Sequence, residues 1–251
     1  MNDHTGESTG GRTPAAGMTK AVLFDVDFTL IYPGPTFQGD GYRAFAARHG
    51  VGVDAALFDR AVRSAGHLLD LPEDTVYDDQ IHVRYTRHIL EEMGGRGEVL
   101  DTIAREIYRE WAACQHFELY EDVPDVLRAL TSAGVRVGLV SNSHRCLASF
   151  QTHFELTGLI SATVSSSDHG LMKPHPSIFN AALDLLAVAP AEALMVGDSV
   201  THDVEGALQV GMRAVLLHRS ADQHPLEQSL AGRGVPTLRS LHDLPGLVAR
   251  R

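Results

Sequence analysis

Asp25 and Asp27 stand two residues apart, directly after the apolar run Ala21-Val22-Leu23-Phe24, and Asp198 and Asp203 follow a second apolar run, Ala193-Leu194-Met195-Val196. Core packing gives no reason for carboxylates in such places, because an ionised group in apolar surroundings is costly unless paired or metal-bound. Two acidic clusters about 170 positions apart point to strand ends that converge on one divalent ion. Along an extended segment Asp25 and Asp27 face the same side, so they repel unless a cation or a proton intervenes. One of the pair suits an ionised nucleophile and metal ligand, the other a general acid/base. Taken alone, the hexapeptide from Asp25 to Leu30 is equally a turn whose carboxylates cap backbone amides.

Three further stretches carry weaker signals. In Val140-Ser141-Asn142-Ser143, a hydroxyl and backbone N–H groups ahead of a helix form an anion site, with Ser143 read as the helix N-cap. Gly170-Leu171-Met172-Lys173-Pro174 fixes a lysine ahead of a proline, where it can neutralise a phosphate or a carboxylate. From Gly197 to Asp203 a glycine turn leads acids off a strand end into a helix; Asp203 there is alternatively a helix-start acid favoured by the dipole.

The elements that position these residues alternate. Residues 135–140, 162–165, 193–196 and 213–217 read as short apolar strands, and residues 144–154, 177–187, 201–210, 226–231 and 241–248 as helices. Such alternation implies a parallel sheet covered on both faces, to which the upstream strand 21–24 belongs. Between Gly39 and Ala113 almost no strand pattern exists. Residues 53–69 and 75–93 are helical, broken at Leu71-Pro72 and Gly94-Gly95, and Leu100, Ile103, Ala104, Ile107, Tyr108 and Trp111 form one apolar stripe at helical spacing. The expected fold is therefore α/β: a Rossmann-like parallel sheet core, residues 18–32 and 115–251, with an inserted all-helical cap domain, residues 33–114. The first 17 residues are expected to be a disordered tail, with Met18 a possible natural start.

Composition narrows the function. Lys and Arg number 21 against 32 Asp and Glu, a net charge of −11, which argues against nucleic acid or an anionic membrane as main partner. A small anionic substrate is compatible, since a metal and one lysine reverse the field locally. Cys114 and Cys146 are isolated, as expected in a reduced, cytoplasmic setting. The 14 histidines form no HxxxH or HxH cluster, no apolar run approaches the roughly 18 residues of a membrane span, and the N-terminal stretch lacks the apolar segment of a secretory signal.

Taken in order, DVDFTL at Asp25 to Leu30, VSNS at Val140 to Ser143, GLMKPHPSIF at Gly170 to Phe179 and GDSVTHDVEGALQVGM at Gly197 to Met212 resemble the four motifs of the haloacid dehalogenase superfamily. The helical insertion lies where the helical C1-type cap of that family's subfamily I lies, and the resemblance spans about residues 18–250.

The resemblance implies a Mg²⁺-dependent phosphatase of a small phosphorylated metabolite acting through an aspartyl-phosphate. Asp25 would be nucleophile and metal ligand, and Asp27 acid/base and, through its carbonyl, metal ligand. Ser141 and the Asn142 amide would hold phosphate, and Lys173 would steady Asp25 and the phosphoryl group. Asp198 would bind the metal, and Asp203 and Thr29 would support the site. Phe28 stands where many members have glycine, and is expected to narrow the entrance or touch the cap. A sugar phosphomutase of the same family is the alternative, followed by a haloacid dehalogenase, which lacks an aspartate at the Asp27 position, or a non-catalytic binding relative. A monomer or homodimer is expected.

Overall fold

The structure is a computed structural model that describes residues 18–69, 76–222 and 225–249. The tail expected over residues 1–17 and the break at Leu71-Pro72 lie outside the described residues.

Six parallel strands form the main sheet in the order β5-β4-β1-β6-β7-β8: β1 Ala21–Phe24, β4 Arg136–Ser141, β5 Ala162–Ser165, β6 Ala193–Gly197, β7 Arg213–Leu217 and β8 Thr237–Leu238. Strand β1 is central, pairing in parallel with β4 on one side and β6 on the other. Its four residues have no solvent exposure, as a strand covered on both faces requires. Successive side chains go to opposite faces. Val22 and Phe24 join the cluster with α5 (Val123–Ser132), α6 (Leu147–His153) and α11 (Leu244–Ala249); Ala21 and Leu23 join the other, with α8 (Pro176–Leu186), α9 (Gly206–Gln209) and α10 (Glu227–Gly232). The short helix α7 (Ser166–His169) follows β5.

Between β1 and β4 the chain leaves the sheet through an antiparallel ribbon, β2 (Ile31–Pro33) with β3 (Phe117–Leu119). It encloses α1 (Gly39–Arg48), α2 (Phe58–Ala65), α3 (Asp79–Glu92) and α4 (Val99–Glu110). The stripe on α4 buries Leu100, Ile103, Ala104 and Ile107 in an assembly where α3 packs against α2 and α4. Asp78 starts α3 by accepting from Gln80 N at 2.9 Å, a cap of about 1 kcal/mol. At the base, Phe37 packs on Trp111 and Phe117 with ring centroids 4.6 and 5.3 Å away. Its core is thereby continuous with that of the sheet.

The insertion also reaches the sheet domain mid-length. Val76 bridges to Leu171, and Tyr77 N donates to Gly170 O at 3.1 Å. The insertion therefore meets the sheet domain between its two ends as well.

Several helix boundaries need correction. The helix expected over 144–154 begins only at Leu147, with Cys146 as its N-cap residue; Ser143 is therefore no helix cap. The 201–210 helix is a π-helical segment Val200–Glu205 followed by α9. The 53–69 reading resolves into α2 flanked by 3-10 turns Ala55–Leu57 and Gly66–Leu68. The β2–β3 ribbon and β8 were not expected, nor was α5 singled out; three- and two-residue strands are too short to show a period of two. Among the described residues no helix is long and apolar enough to cross a membrane.

Candidate active site

All four motif regions arrive at the carboxyl edge of the parallel sheet. Asp25 follows β1, Ser141 ends β4, Asp198 follows β6, and Lys173 lies beyond β5. The chain runs from β1 to β4 and β5 on one side, then returns to β6 on the other, and the crevice at such a switch point is where open α/β sheets bind ligands.

Lys173 is the hub. Its Nζ donates to Asp25 Oδ1 at 2.6 Å and to Asp203 Oδ1 at 2.7 Å, and the side chain is 2% exposed. The backbone of Lys173 is held as firmly. Asn142 accepts from Lys173 N at 2.7 Å and donates to its carbonyl at 2.9 Å, so the Asn142 carboxamide is committed to the lysine. Asp203 also accepts from Ser199 N at 3.0 Å, and it lies so close to Gly197 that a Cβ there would stand 2.2 Å from its carboxylate. That approach is why β6 must end in glycine.

The acidic cluster exceeds what one lysine can neutralise. Oxygens of Asp25, Asp198 and Asp203 lie within 4.8 Å of one another, and buried Asp25 Oδ2 has no hydrogen-bond partner. Burial raises the Asp25 carboxyl; Lys173 opposes this, Asp203 and Asp27 add to it, and the result is about 7. Asp198 opens to solvent in the crevice, yet the protein crowding around it, then Asp25 and Asp203, pushes it well up. Burial alone would lower the Lys173 ammonium, but Asp203 and Asp25 hold it above its usual range. One ammonium thus stays charged among three carboxylates, and the surplus negative charge with an orphaned oxygen is a fitting donor set for a hard divalent cation.

Asp27 is held differently. Arg145 Nη1 donates to Asp27 Oδ1 at 2.8 Å, Nη2 donates to the Trp111 carbonyl at 2.8 Å, and the guanidinium lies 4.3 Å over the Phe117 ring. Arg145 is fully buried, while Asp27 keeps 18% side-chain exposure. Two cations therefore separate the two aspartates, Lys173 on one and Arg145 on the other. Arg145 was missed in the sequence because its partner is 118 positions away and no motif spacing marks it. Ser141 donates to Ser143 Oγ at 3.1 Å, and Ser143 Oγ accepts from Arg145 N at 3.3 Å; Ser143 shapes this loop.

Phe28, between Asp27 and buried Thr29, has φ +64°. A left-handed conformation costs a side-chain-bearing residue about 1–2 kcal/mol. The turn needs it, since Phe28 N donates to Ile31 O at 2.7 Å and Leu30 N to Val26 O at 2.8 Å. The phenyl ring is 45% exposed, 6.4 Å from Trp111. Thr29 gives its carbonyl to Arg219 at 2.9 Å, while its hydroxyl has no partner. His175 starts α8 by accepting from Ser177 N at 3.2 Å.

The sequence model of the haloacid dehalogenase-like hydrolases matches residues 19–211. The chain belongs to that family. This hydrolase is 29% identical over 121 residues to haloacid dehalogenase-like hydrolase domain-containing protein 3 of Xenopus laevis, covering 48% of this chain and 50% of that protein. The match thus spans about half the length of that relative. To the glyceraldehyde 3-phosphate phosphatase of Methanopyrus kandleri it is 30% identical over 219 residues, 82% of this chain and 87% of that protein. In fold it is similar to a HAD phosphatase from Thermococcus onnurineus, with TM-score 0.63 and 23% identity over 92% of this chain and 98% of that one. At that identity the structural likeness speaks to the fold alone.

Proposed function

We propose that this hydrolase is a Mg²⁺-dependent phosphatase of small phosphorylated metabolites that works through an aspartyl-phosphate. The observation that carries the reading is the state of Asp25: one oxygen is held by Lys173, the other has no hydrogen-bond partner, and two further carboxylates lie beside it. Phosphatases among its relatives, including one named for glyceraldehyde 3-phosphate and one for phosphoserine, support phosphoryl rather than carbon–halogen chemistry. So does Asp27, because a leaving halide needs no proton.

Asp25, Asp198 and the Asp27 carbonyl would hold the Mg²⁺, with Asp203 in support. When bound, the ion neutralises charge on the phosphoryl oxygens and on the carboxylates. An Asp25 oxygen attacks phosphorus, and the bond from phosphorus to the ester oxygen breaks. Asp27 delivers a proton to the departing alkoxide; Oδ1 is anchored by Arg145, which leaves Oδ2 for proton transfer. Asp27 then takes a proton from the water that attacks the aspartyl-phosphate, releasing inorganic phosphate and restoring Asp25. Ser141 and the Asn142 backbone N–H hold phosphoryl oxygens, and Lys173 balances the charge that develops there.

The deciding experiment follows phosphate release from a panel of phosphomonoesters with Mg²⁺, and halide release from a 2-haloacid in parallel. A phosphoryl adduct on Asp25, trapped in Asp27→Asn and located by mass spectrometry, is the expected companion result. Halide release without phosphate release would overturn the proposal.

A further inference from the structure

Between the helical insertion and the sheet edge lies a cavity of about 380 Å³, with Asp27, Asp198 and Ser199 on its floor. Its walls include Phe28, Tyr42, Ile81, Tyr85, Tyr108 and Trp111. Among the described residues that line it there is no lysine or arginine, and the sequence linking Leu69 to Val76 contains none. The basic groups behind its floor are committed, Arg145 to Asp27 and Lys173 to Asp25 and Asp203, while Arg105 and Arg109 line a neighbouring cavity that shares only Tyr108 and His144 with this one. Arg105 is already engaged there, donating to Gln80 Oε1 at 2.8 Å.

His82 and His144 do not supply the missing charge. His82, Tyr108 and His144 form a continuous stack, with centroids 5.3 Å and 4.1 Å apart and an 8° angle between the first two rings. Burial, then His144, pushes His82 down to about 4, and burial lowers His144 as well. Near neutral pH these rings are an uncharged wall, flat from His82 to Tyr108 and tilted by 35° at His144. Phe28 faces into the same space from a left-handed position that glycine would occupy without strain. Strain of this kind persists where the side chain serves the site.

We propose that this cavity selects phosphomonoesters whose leaving group is uncharged and largely apolar, above all aromatic, over esters that carry a carboxylate or a second phosphate. The proposal rests on the phosphatase reading above. A carboxylate entering here would lose water, find no lysine or arginine on the described walls to pair with, and sit above Asp27 and Asp198. An aromatic ring would instead bury its area against rings that accept offset or edge contacts. The expected preference is about tenfold or more in kcat/KM, the scale of burying one apolar side group.

The test compares 2-phenylethyl phosphate, O-phosphoserine and phosphoglycolate on the wild-type enzyme with Mg²⁺. All three release alkoxides, so leaving-group chemistry is closely matched. The expected result is an about tenfold or greater kcat/KM for 2-phenylethyl phosphate; equal or better hydrolysis of either carboxylate-bearing ester would overturn the inference. In Phe28→Gly, which relieves the positive φ, the ratio of kcat/KM for 2-phenylethyl phosphate to that for phosphoserine should fall several-fold, and an unchanged ratio would count against the inference. Trp111, the single tryptophan, reports occupancy without turnover. In Asp25→Asn with Mg²⁺, its fluorescence should respond to 2-phenylethyl phosphate at lower concentration than to phosphoserine, and the reverse order would also overturn the inference. If no ester releases phosphate, the phosphatase reading fails, and this binding order still decides the cavity's preference.

Discussion

Arg145 and Asp27 form a charge-assisted contact in which the arginine is wholly buried and the carboxylate only partly so, at 2.8 Å. The same guanidinium holds the Trp111 carbonyl, so the carboxylate two residues after Asp25, the proposed nucleophile, is tied to the end of the insertion's last helix. Replacing Arg145 by methionine should destabilise the protein by about 3–5 kcal/mol, because Asp27 and the Trp111 carbonyl lose their partner, a change read by denaturant unfolding. Arg145→Lys keeps the charge without the fork that spans both acceptors. It should lower kcat/KM about tenfold on alkyl phosphates, and less on nitrophenyl phosphate, which asks little of the proton donor.

The two aspartates of the first motif should separate cleanly. Asp25→Asn removes the proposed nucleophile and should abolish turnover. Asp27→Asn should lose about 10²–10⁴-fold on an alkyl phosphate and less on an aryl phosphate, with single-turnover assays showing accumulation of the aspartyl-phosphate. The opposite ranking would mean the roles are reversed.

Chelation with EDTA should abolish phosphate release, and added Mg²⁺ should restore it. Proton and metal compete for Asp25, whose carboxyl stands at about 7 without the ion. Mg²⁺ should therefore bind more tightly as pH rises from about 6 to about 8, with most of the gain below the Asp25 value, in isothermal titration calorimetry. An affinity that falls over this range would contradict the assignment.

The stacked histidine wall gives an acid-stability prediction. His82 has a folded value of about 4, below its usual 6.5, so between these values the unfolded chain binds more protons. Stability contributed here is present above pH 6.5 and lost as pH falls toward 4. His82→Phe preserves a ring against Tyr108 and should lose less melting temperature between about pH 7 and about pH 5 than the wild type does.

Gly197→Ala places a methyl group 2.2 Å from the Asp203 carboxylate. Asp203 would have to leave Lys173 and Ser199 N, both of which it now holds. Activity should fall about 100-fold or more, on the scale of losing one preorganised electrostatic group, as measured by kcat on the best phosphomonoester.

Much of this was legible in the sequence for a physical reason. Ala21–Phe24 and Ala193–Gly197 are apolar runs ended by acids, a pattern that simple burial does not produce, and the parallel sheet follows from strands alternating with helices. Less was legible where partners are set by the fold. The lysine at 173 was visible, but not that Asn142 spends its carboxamide on the lysine's backbone. Arg145 carries no local signal at all, and the left-handed Phe28 looked like an ordinary substitution for glycine until its φ was known. Short ribbons such as β2 with β3 hold three residues each, too few for periodicity to register.

The bridge from Val76 and Tyr77 to Leu171 and Gly170 ends two residues before Lys173. Its hydrogen bond is made by main-chain atoms, so the link is indifferent to which side chains the insertion carries at those positions. The main chain of the insertion is thereby tied to the same stretch of chain that seats the ammonium beside Asp25.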